Sequence, residues 1–290
     1  MRISELFEKK IPTLSFEVFP PKTDDAFDSV KYATEEIAKI NPDFMSVTYG
    51  AGGGTSKHTL AIAKNLKNKY NVTPLAHLTC VSSTKEMIQN QLKLLSENGI
   101  ENILALRGDI PRGIDYSDFD YKYASDLIKD IKSFGDFCIG GACYPEGHVE
   151  SANQKEDICA LKTKVEAGCE FLTTQMFFDN NILYNFLYKI REAGIRVPVV
   201  AGIMPVTNGK QIARICKLSG TYLPQRFKSI VDKFGDFPEA MKQAGIAYAT
   251  EQIIDLLANG VNNIHIYSMN KPDVAEQIKG NLTDILTVRQ

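Results

Sequence analysis

Apolar residues in this chain fall into eight short runs. Each run ends in a polar or glycine-rich tail and leads, in nearly every case, into a segment with helical spacing. The runs predict strands over residues 13–19, 43–48, 74–79, 102–106, 137–142, 171–174, 198–201 and 263–267. Most are almost continuously apolar, as expected of strands covered on both faces. Between them, sets such as Ala26-Val30-Ala33-Ile37-Ile40, Met87-Leu92-Leu95 and Ile246-Ala249-Ile253-Leu256-Leu257 recur at helical spacing.

Thr84, with Met87 three residues on, and Asn180 are expected to open helices. Gly99, Gly168, Gly194 and Gly260 sit where helices should stop. The phrases Glu97-Asn98-Gly99-Ile100, Glu166-Ala167-Gly168-Cys169, Glu192-Ala193-Gly194-Ile195 and Ala258-Asn259-Gly260-Val261 are near copies, a weak repeat of one strand-helix unit. Strand followed by helix, with polar groups at each strand's carboxyl end, predicts a (β/α)8 TIM barrel whose site lies at those ends. No linker or shift in composition divides the chain, so residues 1–290 read as a single domain, with an extra helical segment around 219–237 expected to help wall the site.

Composition narrows the partners. A formal charge of −2 and the lack of a basic run argue against nucleic acid and against an anionic membrane surface. There is no membrane-span signal and no signal-peptide core, so a cytoplasmic protein is expected. The six cysteines are scattered without zinc spacing; they read as reduced, mostly buried thiols, and no metal site is expected.

Several strand ends carry candidate chemistry. Glu17 lies among Phe16, Val18 and Phe19 before Pro20-Pro21. It reads either as a carboxyl group kept protonated by its apolar setting, and so a proton donor near neutral pH, or as an ordinary barrel glutamate paired to a lysine. Asp109, after Leu106-Arg107-Gly108, belongs at the same face. Arg107 suits a phosphate or carboxylate, although Arg-Gly-Asp is also a common salt-bridged turn. The stretch Gly50-Ala51-Gly52-Gly53-Gly54-Thr55-Ser56 is either an anion cradle or a plain loop capped by Thr55 or Ser56. It fits neither a dinucleotide fingerprint nor a P-loop. His77 and His265 lie in strands, His58 on a helix and His148 after Tyr144-Pro145-Glu146-Gly147; a lone buried histidine is ordinarily a hydrogen-bonded core residue. Gln175 before Phe177-Phe178-Asp179 suits the edge of a heterocycle beside a stacking surface, while core aromatics and a capping aspartate explain all but Gln175.

Seven phrases in order, Ser15-Phe16-Glu17-Val18-Phe19-Pro20-Pro21-Lys22, Val47-Thr48-Tyr49-Gly50-Ala51-Gly52-Gly53, Ala76-His77-Leu78-Thr79-Cys80, Leu106-Arg107-Gly108-Asp109, Tyr144-Pro145-Glu146-Gly147-His148, Thr174-Gln175-Met176-Phe177-Phe178-Asp179 and Gly202-Ile203-Met204-Pro205, closely resemble methylenetetrahydrofolate reductase of the bacterial type. The resemblance implies a barrel holding FAD at the strand ends. The reaction it implies is ping-pong reduction of 5,10-methylenetetrahydrofolate to 5-methyltetrahydrofolate with NADH or NADPH, in one-carbon and methionine metabolism. It makes Glu17 the acid for the bridging folate nitrogen and Asp109 a group beside flavin and pterin. It assigns FAD contacts to Thr48, Tyr49, Ala51, His77, Arg107, Gly108, Asp109, Tyr123, Ala124, Ser125, Tyr144, His148, Asp157 and Lys164. Substrate contacts fall on Asp109, Gln175, Gln211 and Lys271.

Two positions depart from the family pattern: Lys271 stands where an arginine is usual, and Ile215 where an aromatic is expected. The regulatory extension of eukaryotic relatives is expected to be missing, and a homo-oligomer is expected. Fold logic alone also leaves open a metal-dependent lyase or aldolase, or a non-catalytic folate- or flavin-binding partner subunit.

Overall fold

The computed structural model describes residues 1–9, 11–21, 23–49, 56–110 and 119–288. Eight parallel strands close a barrel in sequence order: β1 (Thr13–Val18), β2 (Phe44–Val47), β3 (Thr73–Thr79), β4 (Asn102–Leu106), β5 (Cys138–Cys143), β6 (Phe171–Thr174), β7 (Val199–Ile203) and β8 (Asn263–Ile266). A short helix α1 (Ile3–Glu8) precedes them. The outer ring consists of α2 (Phe27–Lys39), α3 (Ser56–Tyr70), α4 (Lys85–Glu97), α5 (Ala124–Phe134), α6 (Gln154–Glu166), α7 (Asn180–Glu192), α8 (Gly209–Ser219), α9 (Gln225–Phe234), α10 (Pro238–Ala258) and α11 (Pro272–Asn281).

Every expected strand is present, and the differences at the ends have local causes. β1 stops at Val18 because the Phe19 N–H leaves the ladder for Asn270 Oδ1 at 3.0 Å, and Asn270 Nδ2 returns a bond to Phe19 O at 2.9 Å. β7 runs on to Ile203, two residues past the expected end at Ala201. Thr84 caps α4 by accepting from the Met87 N–H at 3.2 Å, yet Met87 itself is exposed and the buried face is Ile88, Leu92 and Leu95.

The repeated glycine phrase has one physical meaning. Gly99, Gly168, Gly194 and Gly260 all have positive φ (64°, 119°, 84° and 80°). After each of them the next N–H reaches back five residues: Ile100 N to Leu95 O at 2.9 Å, Cys169 N to Lys164 O at 3.4 Å, Ile195 N to Ile190 O at 3.0 Å and Val261 N to Leu256 O at 2.9 Å. These are left-handed helix ends that satisfy carbonyls otherwise orphaned.

Strand alternation sorts the barrel into two cores. Outward residues such as Phe16, Met45, Ala76, Ile103, Ile139, Leu172, Ala201 and Ile264 join the helices in one large cluster. Inward Phe44, Leu75, Leu104, Cys138, Phe171 and Val200 form a separate cluster with Ile3 and Leu6 of α1. Helix α1 therefore plugs the amino-terminal mouth. It is tied there by the Ile3 N–H to Asn102 Oδ1 at 2.8 Å and by Arg2 to Glu170 at 2.8 Å. Above this apolar floor the interior turns polar, with Ser15, Glu17, Ser46, His77, His265 and Tyr267. The functional end is thereby fixed at the carboxyl ends of the strands.

Candidate active site

Glu17 is the penultimate residue of β1, in register with Ser46 of β2. Its Oε2 accepts from Ser46 Oγ at 3.4 Å and lies 3.6 Å from His77 Nε2 and 4.0 Å from His265 Nε2. No lysine pairs with it among the described residues; its near neighbours are a hydroxyl and two imidazoles. Water still reaches 21% of the side chain from the mouth. Even so, the surrounding protein penalises the charged form and pushes the carboxyl up to about 7, with Ser46 opposing the shift. Burial pushes His77 and His265 down to about 3, so both are neutral at physiological pH.

Beside this acid, a cleft of about 540 Å3 opens over the ends of β3, β4 and β5, within the ~300–1,000 Å3 typical of cofactor sites. It gathers Tyr49, Arg107, Gly108, Asp109, Tyr123, Ala124, Tyr144, His148, Asp157 and Lys164 from the residues singled out in the sequence. Ser125 is buried at the start of α5 behind Ala124, and the Thr48 carbonyl accepts from Thr59 Oγ1 at 2.8 Å; neither lines the cleft. His77 lines a small adjoining cavity that shares Tyr49 with the cleft. Ala51, with the rest of the glycine-rich stretch 50–55, and Lys22 lie outside the described residues.

Glu17 and Asp109 sit at the same barrel end, as expected, although Glu17 does not line the cleft itself. Two phenols connect them electrostatically. Burial raises Tyr144 to about 12, with the Asp109 charge adding to the shift. Tyr267 is raised by burial, then by Glu17, and also by Tyr144. Tyr267 donates to Thr174 O at 2.6 Å, which needs a glycine opposite: a Cβ on Gly202 would lie 2.6 Å from the Tyr267 ring.

Several expectations change in detail. Arg107 is salt-bridged, but to Glu150 rather than Asp109, through Nη1 to Oε2 at 2.6 Å and Nη2 to Oε1 at 2.8 Å. Gly108 has φ 88°, and a Cβ there would meet Val81 Cγ1 at 2.7 Å, so the turn itself demands glycine. Phe177 and Phe178 are core residues and offer no stacking surface, and Asp179 caps α7 by accepting from the Asn181 N–H at 2.9 Å. Gln175 Oε1 accepts from the Met176 N–H at 3.0 Å. Gln211 is exposed on α8, and Lys271 donates to Thr207 Oγ1 at 2.5 Å; neither lines the cleft. Helix α9 does not wall the cleft either: Phe227 packs against Phe178 and Tyr248, bracing α10, while Ile215 packs at the edge of the same cluster.

The sequence reading passed over Glu150, Thr79, Ser15, Ser46 and the role of His265. Nothing short of the closed barrel aligns Ser15, Ser46 and His265 around Glu17, because they come from three strands. Among the described residues no group of three or more His, Cys, Asp or Glu converges as a metal site, and no helix is long and apolar enough to cross a membrane.

The cleft's own chemistry fits a flavin dinucleotide. Arg107, here held by Glu150, and Lys164 are the cations that would meet a pyrophosphate, and tyrosine and histidine rings line the walls. Thr79 Oγ1 is buried in the cleft wall without a hydrogen-bond partner. Lys164 at present donates to Ala142 O at 2.5 Å, and burial lowers its pKa.

Comparison with known proteins identifies the family. A family model described as methylenetetrahydrofolate reductase matches residues 2–283. The chain is 36% identical over 295 residues to methylenetetrahydrofolate reductase (NADH) 1 of Arabidopsis thaliana, covering 97% of this chain and 50% of that one. It is 34% identical over 265 residues to the 5,10-methylenetetrahydrofolate reductase of Escherichia coli, covering 91% and 88%. The chain thus spans about half the length of its plant relatives and most of the bacterial one. A solved structure described as an uncharacterized protein from Clostridium thermocellum that binds two copies of 5-methyl-5,6,7,8-tetrahydrofolic acid has a TM-score of 0.66 at 15% identity, over 97% of this chain and 99% of that one; this likeness speaks to the fold alone. On the family match across almost its whole length, the chain belongs to the methylenetetrahydrofolate reductase family.

Proposed function

We propose that this chain reduces 5,10-methylenetetrahydrofolate to 5-methyltetrahydrofolate, with FAD as bound carrier and NADH or NADPH as donor. The observation that carries the reading is Glu17, a carboxyl group poised near pH 7 at the barrel mouth beside a cleft of cofactor size. FAD, when bound, would take hydride from the pyridine nucleotide and give it to the folate in a separate half-reaction, which makes the kinetics ping-pong.

The residues of this chain then have distinct tasks. Arg107 and Lys164 would hold the pyrophosphate. Thr48, Tyr49, Ala51, His77, Gly108, Tyr123, Ala124, Ser125, Tyr144, His148 and Asp157 would shape the rest of the cofactor site. Glu17 donates its proton to the bridging folate nitrogen, so that the five-membered ring opens to an iminium able to accept hydride. The neutral His77 and His265 help by leaving the acid form of Glu17 uncontested by any cation. Asp109 orients the pterin from the cleft rim, and Gln175, Gln211 and Lys271 contact the substrate.

The same reading takes residues 1–290 as one barrel domain of a cytoplasmic homo-oligomer, which sedimentation of the purified chain tests. The reductase assignment is tested by titrating cofactor-free protein with FAD and following flavin fluorescence. Stoichiometric, saturable quenching is expected, and a chain that leaves FAD fluorescence unchanged contradicts the proposal.

A further inference from the structure

Four contacts run in series across the β8–β1–β2 seam. Ser15 Oγ reaches Ile264 O at 2.9 Å and His265 Nδ1 at 2.8 Å; His265 Nε2 reaches Ser46 Oγ at 3.1 Å, and Ser46 Oγ reaches Glu17 Oε2 at 3.4 Å. A serine hydroxyl has one hydrogen, a neutral imidazole has one, and a carbonyl oxygen only accepts. Three hydrogens therefore serve four contacts, and a fourth arrives only with the proton of Glu17.

The direction of each bond follows from that count. With Glu17 protonated, its O–H donates to Ser46 Oγ, Ser46 donates to His265 Nε2, His265 Nδ1–H donates to Ser15 Oγ, and Ser15 donates to Ile264 O. All four contacts are made. With Glu17 ionised, Ser46 must turn to donate to the carboxylate, so Nε2 must carry the ring hydrogen and donate to Ser46. Nδ1 is then bare and takes the Ser15 hydrogen, leaving the Ile264 contact without one.

We propose that His265 is a positioning residue for Glu17 whose tautomer is set by the proton on that carboxyl: Nδ1–H when Glu17 is the acid, Nε2–H when it is the carboxylate. This rests on the reading of Glu17 as the acid of the site. The ring is held in place by stacking on Phe44 (5.8 Å, 7°) and by an edge contact with Tyr267 (5.3 Å), so the hydrogen changes nitrogen while the ring stays put. Glu17 loses its proton to solvent or substrate, and His265 releases hydrogen from one nitrogen and takes it up on the other through solvent. The net change is one proton.

Among the described residues, the other titratable groups facing Glu17 do not compete for that proton. His77 comes from β3, and His265 and Tyr267 come from β8 and its end. Burial keeps both imidazoles and the phenol neutral near pH 7. The four-contact state exists only for the acid form, so the chain of bonds holds Glu17 ready to donate.

The test is the tautomer itself. The full chain with 15N-labelled histidine is titrated from about pH 5 to 9, with His265 assigned as the signal lost in His265→Asn and kept in His77→Asn, and Glu17 followed by its carboxyl 13C signal. The expected result is a shift of His265 from Nδ1–H to Nε2–H whose midpoint coincides with the Glu17 titration. In Glu17→Gln the side-chain amide keeps donating to Ser46, so Nδ1–H should persist throughout; in Ser46→Ala the carboxyl should titrate without His265 following. A tautomer that stays fixed while Glu17 titrates, a ring that gains a second proton, or a switch that survives Glu17→Gln overturns the proposal. The measurement uses neither flavin nor folate, so failure of the reductase reading shows separately, as flavin that is not bound or not reduced.

Discussion

Arg107 and Glu150 meet as a two-pronged ion pair at the wall of the cleft, at 2.6 and 2.8 Å. Glu150 thus holds the guanidinium that the reductase reading gives to a pyrophosphate. Arg107 and Lys164 also face Asp109, Glu150 and Asp157 in the same cleft, an excess of acid for a site meant to take an anion. Glu150→Gln should therefore tighten FAD binding about two- to fivefold, an exposed pair being worth at most about 1 kcal/mol. Fluorescence titration of cofactor-free protein reads the change, and unchanged or weaker binding would show that Arg107 keeps Glu150 when cofactor is present.

Gly202 of β7 faces Tyr267, which follows the neighbouring β8. A Cβ there would stand 2.4 Å from Thr174 O and 2.6 Å from the phenol. Gly202→Ala should cost about 1–3 kcal/mol by overpacking and displace the Tyr267 ring that meets His265 edge-on. Urea denaturation with paired near-ultraviolet spectra tests this; a stability equal to the parent would mean that the barrel yields there freely.

Helix α1 gives a prediction about stability alone. Ile3 is fully buried in the floor cluster, so Ile3→Ala should cost about 2–5 kcal/mol, and FAD binding at the opposite mouth should change little. Thermal melting of free and FAD-loaded protein separates the two effects.

The architecture could be read from the sequence because each βα unit announces itself locally: apolar run, polar tail, helical spacing, then a glycine at the left-handed stop. Glu17 stood out because a carboxylate between Phe16 and Val18 contradicts its own neighbourhood. His265 did not, since one histidine between two isoleucines looks like core. Only closure of β8 onto β1 puts Ser15 and Ser46 on its two nitrogens. Glu150 was equally silent, because its partner Arg107 is 43 residues away. The strand-end aromatics Phe177 and Phe178 stayed open between core and stacking surface for the converse reason: sequence cannot say which face of the end of β6 looks into the barrel, and the structure makes both core.

Burial of Glu17 also sets a pH dependence of stability. Its carboxyl sits at about 7 when folded, against 4.5 for a glutamate in water. The folded state therefore holds this proton more tightly, and its contribution is full below the unfolded value and lost as pH rises through 7. The loss is about 3 kcal/mol. Glu17→Gln removes the titration, so its stability advantage over the parent should be near its minimum at pH 4.5 and grow to a plateau above pH 7. Urea denaturation of both proteins across that range checks the sign; a difference that is flat with pH would mean the carboxyl titrates normally.

The central claim, that Glu17 is the proton donor for folate reduction, is tested most directly by anaerobic stopped-flow spectroscopy of the two half-reactions in the parent and in Glu17→Gln. The account predicts that NADH or NADPH bleaches the flavin at similar rates in both. It predicts that reoxidation by 5,10-methylenetetrahydrofolate slows about 10²- to 10⁴-fold in the variant, and that in the parent it declines as pH rises through about 7. Reoxidation at the parental rate in Glu17→Gln would contradict it.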